Sequence, residues 1–137
     1  MEEFLLNHRD ELVSTLVVFA LLLILKFVLH ASWIKYRKDY QSYLKIEKSL
    51  SDNSIAAYLR DYDKLLQYLE MMQSNKTPKQ IELSDLQEMI RWISELGISA
   101  RSQARIISGL RNFFFFLILE DEIETDPTEL LDLPKIG

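Results

Sequence analysis

From Ser99 to Leu119 apolar residues recur at Ile106, Leu110, Phe113, Phe114 and Leu117. At about 100° per residue these fall on one side of a helix, while Arg101, Arg105, Ser108 and Asn112 fall on the other. One face builds a core; the other carries guanidinium groups, with no acid in the stretch before Glu120. The same periodicity predicts three more helices upstream. The first runs from about Trp33 to Ser49, with Trp33, Tyr36, Tyr40, Tyr43 and Leu44 as its apolar and aromatic positions. The second opens at Ser51-Asp52-Asn53-Ser54, where a hydroxyl or carboxylate can cap free backbone N–H groups, and continues to about Gln73. Its inner stripe is Ile55, Leu59, Tyr62, Leu66 and Leu69, and its outer stripe Asn53, Ala57, Arg60 and Lys64. The third starts at a capping signal in Ser84-Asp85-Leu86-Gln87, buries Leu86, Met89, Ile90 and Ile93, and stops at Gly97 as a left-handed C-cap. Ser99 caps the next helix two residues later, so the two form a corner. After Glu120 an acidic run to Asp126-Pro127 ends the pattern, with room for one more turn over Thr128 to Leu131. No segment alternates with the period of a strand.

Ahead of these helices, Leu12 to Ala31 is apolar on all sides rather than on one. As a helix it would span roughly 30 Å, the thickness of a bilayer's hydrocarbon region. Lys26 sits near one end, where its stem can carry the ammonium group to the headgroups. Acids precede the stretch and Lys35, Arg37 and Lys38 follow it, which by the positive-inside bias places the carboxyl-terminal side in the cytoplasm. A cleavable signal peptide fits poorly, since the leading residues are acidic and His30-Ala31-Ser32 offers no small-residue cleavage site. The expectation is an inner-membrane anchor over residues 12–31 holding a cytoplasmic module. The alternatives are a helix buried against a partner and an appendage foreign to the domain.

Composition narrows the chemistry. At 137 residues and 48% hydrophobic content the chain has the size of one domain with one core. It has no cysteine, and His8 and His30 lie far apart, so neither a metal site nor a bound cofactor is expected. The tyrosines stand at helical spacing without a basic partner to activate them, and no set of acid, base and nucleophile occurs at usable spacing. The net charge of -5 is segregated: residues 35–118 carry thirteen bases and ten acids, whereas residues 119–137 carry seven acids against Lys135 alone. A basic middle with helix starts at Asn53 and Ser54 is compatible with phosphate binding, although an Arg/Ser stripe opposite an apolar one is also what a solvated surface helix looks like.

Four ordered blocks carry a resemblance. Tyr43-Leu44-Lys45-Ile46-Glu47-Lys48-Ser49-Leu50-Ser51-Asp52-Asn53-Ser54-Ile55-Ala56-Ala57-Tyr58, then Leu96-Gly97-Ile98-Ser99-Ala100-Arg101-Ser102, then Leu110-Arg111-Asn112-Phe113-Phe114, and finally Asp126-Pro127 to Leu133-Pro134-Lys135 resemble the amino-terminal core-binding domain of Xer-type tyrosine recombinases and phage integrases. The likeness runs from about Trp33 to Lys135. It implies an all-α fold, a SAM-like bundle of four to five helices over residues 33–137, here preceded by the apolar helix of residues 1–32. It implies double-stranded DNA as partner, bound from Asn53, Ser54 and Arg60 at the second helix and from Arg101, Ser102, Arg105 and Arg111 at the fourth; Lys64 joins them from the outer stripe. In that family a separate domain carries the catalytic arginines, histidine and tyrosine, so the resemblance implies DNA binding without strand cleavage by this chain alone, and a catalytic domain or sister subunits as further partners. Three departures stand out: Leu59 and Phe115 occupy positions where a basic or polar residue is common, and the apolar first helix has no counterpart. Leu59, Phe115 and the acidic tail favour the competing expectation, a membrane-anchored helical module of the same descent that binds protein.

Overall fold

The computed structural model describes residues 1–134; Lys135, the last residue of the fourth block, lies outside them. A short helix α1 (Glu2–Asn7) breaks at His8 and is followed by α2 (Arg9–Ser42), α3 (Asp52–Met71), α4 (Leu83–Glu95) and α5 (Ala100–Leu119). No strand occurs among the described residues, and the all-α expectation holds.

One boundary differs from the sequence reading. The apolar stretch and the first bundle helix are a single helix of 34 residues, about 51 Å long. Between Arg9 and Ser42 there is no glycine or proline to interrupt the ladder, so nothing separates residues 31 and 33. Burial changes abruptly instead: Trp33 and Tyr40 are the two fully buried residues of α2. The helix then widens into a π turn over Tyr43–Glu47, in which the Lys48 N–H reaches the Tyr43 carbonyl. That wider turn leaves both Tyr43 and Leu44 in the core.

Aromatic rings crowd around Tyr40. Phe113 meets Tyr40 and Tyr62 edge-on, with ring centres 5.1 and 4.9 Å away, and Phe116 lies 5.5 Å from Tyr40. Such pairs each add about 0.5–1.5 kcal/mol beyond the area they bury. Their polar ends are satisfied within the fold: Tyr62 donates to the Trp33 carbonyl (2.5 Å), and Asn112 donates to the Tyr40 hydroxyl (2.7 Å). Asn112 therefore faces α2, not the outer arginine stripe where the helical wheel put it. Burial pushes the Tyr40 and Tyr62 phenols well above their ordinary range, so both remain neutral hydrogen-bonding groups.

The corner between α4 and α5 forms as expected. Gly97 takes the left-handed conformation (φ 86°), the Ile98 N–H returns to the Ile93 carbonyl, and Ser99 caps α5. The start of α4 lies slightly earlier than predicted: the capping pair is Glu82 and Asp85 rather than Ser84 and Gln87. Asp85 accepts both the Glu82 N–H and the Lys76 ammonium at 2.8 Å, fixing the helix start against the preceding loop.

Candidate nucleic-acid interface

Helices α3 and α5 both run antiparallel to α2. Arg37 forks onto Asp63 (2.8 and 2.9 Å), while Lys26, Leu29 and His30, earlier in α2, line one hollow with Leu66, Leu69 and Gln73 from the end of α3. On the other side the Tyr36 hydroxyl donates to Glu122, just past α5, and the Tyr43 ring packs at a tilt against Phe116 within it, centres 4.9 Å apart. The first turns of α3 and α5 consequently lie at the same end of the bundle, remote from where the apolar part of α2 departs.

Those two first turns are built alike. Ser51 Oγ accepts the Ser54 N–H and Ser99 Oγ accepts the Ser102 N–H, each at 3.2 Å. In both, the capping hydroxyl donates to the serine three residues on, at 3.1 Å. A cap of this type satisfies one of the free N–H groups and leaves others available to an anion. The first turn of α5 holds Arg101 and no acid; that of α3 holds Asp52 beside Asn53. Asn53, Arg101 and Ser102 are exposed and Ser54 is half-buried.

Farther along, the helices touch at Gly109. A Cβ there would overlap the carboxylate of Asp61, which is 2% exposed. Arg105 reaches across and forks onto that carboxylate, with Nη2 to Oδ1 at 2.5 Å and Nη1 to Oδ2 at 3.1 Å. Burial raises the Asp61 carboxyl above its ordinary value, opposed by the hydrogen bonds and charge of Arg105 and by the nearby charges of Arg60 and Lys64. Arg105 holds this buried anion directly, and the charges of Arg60 and Lys64 act on it from the same helix. The Arg105 side chain is 55% exposed even while it holds Asp61.

The predicted site residues therefore divide. Arg60, Lys64 and Arg101 make no ion pair among the described residues. Arg105 lies where α3 and α5 cross and is not a free cation, because a buried carboxylate with no room to turn holds it. Arg111 is drawn away: its Nη2 donates to the Leu131 carbonyl (2.7 Å), clasping the tail onto α5, and it shares a hollow with Glu124, Asp126 and Glu129. Phe115 is half-exposed in that hollow, beside Arg111. Leu59, by contrast, is buried, which accounts for an apolar residue there. Sequence reasoning missed Asp61 and Gly109. A glycine inside an apolar helical run was the available signal, since such a residue marks close approach of another backbone or side chain.

Among known proteins, the family model described as "Phage integrase, N-terminal SAM-like domain" matches residues 38–121. The tyrosine recombinase XerD of Staphylococcus saprophyticus is 35% identical over 98 residues, covering 72% of this chain and 33% of the relative. Those of Staphylococcus epidermidis and Listeria monocytogenes are 39% and 34% identical over 101 and 98 residues, with the same coverage. The chain thus spans about a third of the length of the curated relatives it matches. No solved structure matches it. The matched region begins inside α2, closes with the end of α5 and takes in both capped helix starts and the Asp61–Arg105 crossing, so the chain belongs to the phage integrase N-terminal SAM-like domain family.

Proposed function

We infer that this chain supplies the core-binding domain of a tyrosine recombinase and binds double-stranded DNA at the end of the bundle where α3 and α5 begin. The observation that carries the reading is the set of Arg60, Lys64 and Arg101, projected without ion-pair partners from two adjacent helices that start at the same end. Arg105 stands between them in fixed orientation, and Asn53, Ser54 and Ser102 add neutral donors to phosphate at the helix starts. The acids of the tail lie along the second half of α5 and do not cover this end. Strand cleavage is assigned to a catalytic domain or to sister subunits rather than to the residues of this helical region. The test is fluorescence anisotropy of a labelled duplex titrated with the full chain in detergent at low salt. Saturable binding that weakens steeply with added salt is expected; no retention of duplex even at low salt would favour a protein-binding module of the same descent.

A second element of the reading is favoured by a separate observation. Leu16, Val17, Val18 and Phe19 are 67%, 51%, 56% and 60% exposed, so the whole circumference of α2 is uncovered there. A partner helix covers one stripe, whereas lipid covers all sides. The mean hydropathy of 2.8 and a span near 30 Å fit a bilayer anchor, with the bundle on the cytoplasmic side by the excess of Lys35, Arg37 and Lys38 over acids at that end.

A further inference from the structure

We propose that the end of the bundle from which α2 departs is a bilayer-docking shoulder, in which Met71 and Met72 at the last turn of α3 enter the headgroup boundary beside Leu29 and His30. The proposal rests on the membrane-anchor reading and adds to it a second contact, which fixes how the bundle sits on the lipid.

Level and exposure both point this way. The largely apolar stretch of α2 runs from Leu12 to Leu29, with Ser14 and Thr15 near its start and Lys26 near its end, a length of about 27 Å. If that length fills the hydrocarbon layer, Leu29 and His30 mark its edge. Glu70 and Gln73 line the same hollow as Lys26, Leu29 and His30, so the last turn of α3 lies level with that edge. Within that turn Met71 and Met72 are 62% and 52% exposed, two adjacent apolar side chains each more than half open to solvent. An unbranched thioether suits a soft, irregular surface such as the acyl boundary. Glu70 and Gln73 beside them keep polar groups at headgroup level. Lipid, rather than a second copy of the chain, is the occupant because the patch lies level with the point where α2 leaves the bundle as a helix exposed around its whole circumference.

The helix is also unbroken from the anchor to the core residue Tyr40, so no linker lets the bundle swing free. Shoulder and anchor act as one body. The starts of α3 and α5 are then turned away from the lipid, about 30 Å off along α3, leaving space for a duplex.

The chain has no cysteine, so single-cysteine variants of the full chain take one label each. Leu22→Cys, Met72→Cys and Asn53→Cys are labelled with bimane and reconstituted in vesicles of phosphatidylethanolamine and phosphatidylglycerol carrying a nitroxide quencher in either the mid-acyl or the headgroup region. Loss of most fluorescence at position 22 with the mid-acyl quencher, about a twofold drop at position 72 with the headgroup quencher, and no change at position 53 are expected. Quenching at 22 without any at 72 overturns the shoulder and leaves the anchor standing. Absence of quenching at all three positions overturns the anchor and the shoulder together. A label at 72 that lipid does not quench, but that self-quenches with protein concentration, reports a second copy on the patch and also overturns the proposal.

Discussion

Replacing Gly109 with alanine is expected to lower the stability of the bundle by about 3 kcal/mol, read as a shift of the urea midpoint with unchanged slope. Alanine is ordinarily the better helix former, so propensity alone predicts a gain of about 1 kcal/mol. The sign reverses because the added methyl falls on the Asp61 carboxylate, which is buried and held by Arg105. Either α3 and α5 move apart, loosening the packing of Tyr62 on Phe113, or the carboxylate leaves its fork. A stability equal to or greater than that of the unaltered chain would show that Asp61 is not pinned where the two helices meet.

Arg105→Ala carries the second large effect, expected at about 2 kcal/mol. It leaves Asp61 buried without its hydrogen-bonding partner, and removal of one member of a buried pair commonly costs more than the pair itself is worth. Arg60 and Lys64 nearby soften the loss. Asp61→Asn in the Arg105→Ala background removes the stranded charge and is expected to restore most of the stability, which thermal or urea unfolding of the single and double variants measures. The same carboxyl sets a pH dependence. Its folded pKa is raised, so the folded state binds the proton more tightly than the unfolded one, and stability falls as pH rises from the ordinary carboxylate value through the raised one. Asp61→Asn is expected to flatten that slope.

How much of this was legible in the residues depended on whether a signal was local. The apolar stripes of α3 and α5, the serine caps and the left-handed Gly97 are set by neighbours three or four positions apart, and they appear in the fold where the pattern placed them. The number of helices and the all-α class followed from these. At Ser32 the composition changes while the backbone does not, because no residue there breaks a helix, so the pattern puts a boundary where α2 has none. The site was less legible. A helical wheel shows which arginines point outward, but not that Arg105 meets a carboxylate 44 positions away or that Arg111 meets a carbonyl 20 positions away. Both pairings depend on the crossing of α3 with α5 and on the return of the tail, which periodicity within one helix does not encode. Arg101 and Arg60 were left exposed, and Lys64 half-buried without an ion-pair partner, by the same packing.

That these three cations face a duplex is tested most directly by the salt dependence of duplex binding for the full chain and for the variant Arg60→Ala/Lys64→Ala/Arg101→Ala. Since none of the three holds the fold through an ion pair, the variant is expected to unfold at nearly the same urea concentration. Its plot of log affinity against log salt is expected to flatten by about 0.9 for each phosphate no longer neutralised, close to 3 in all. Equal affinity and equal slope in the two proteins, with the fold intact in both, would place the nucleic acid elsewhere or nowhere on this domain.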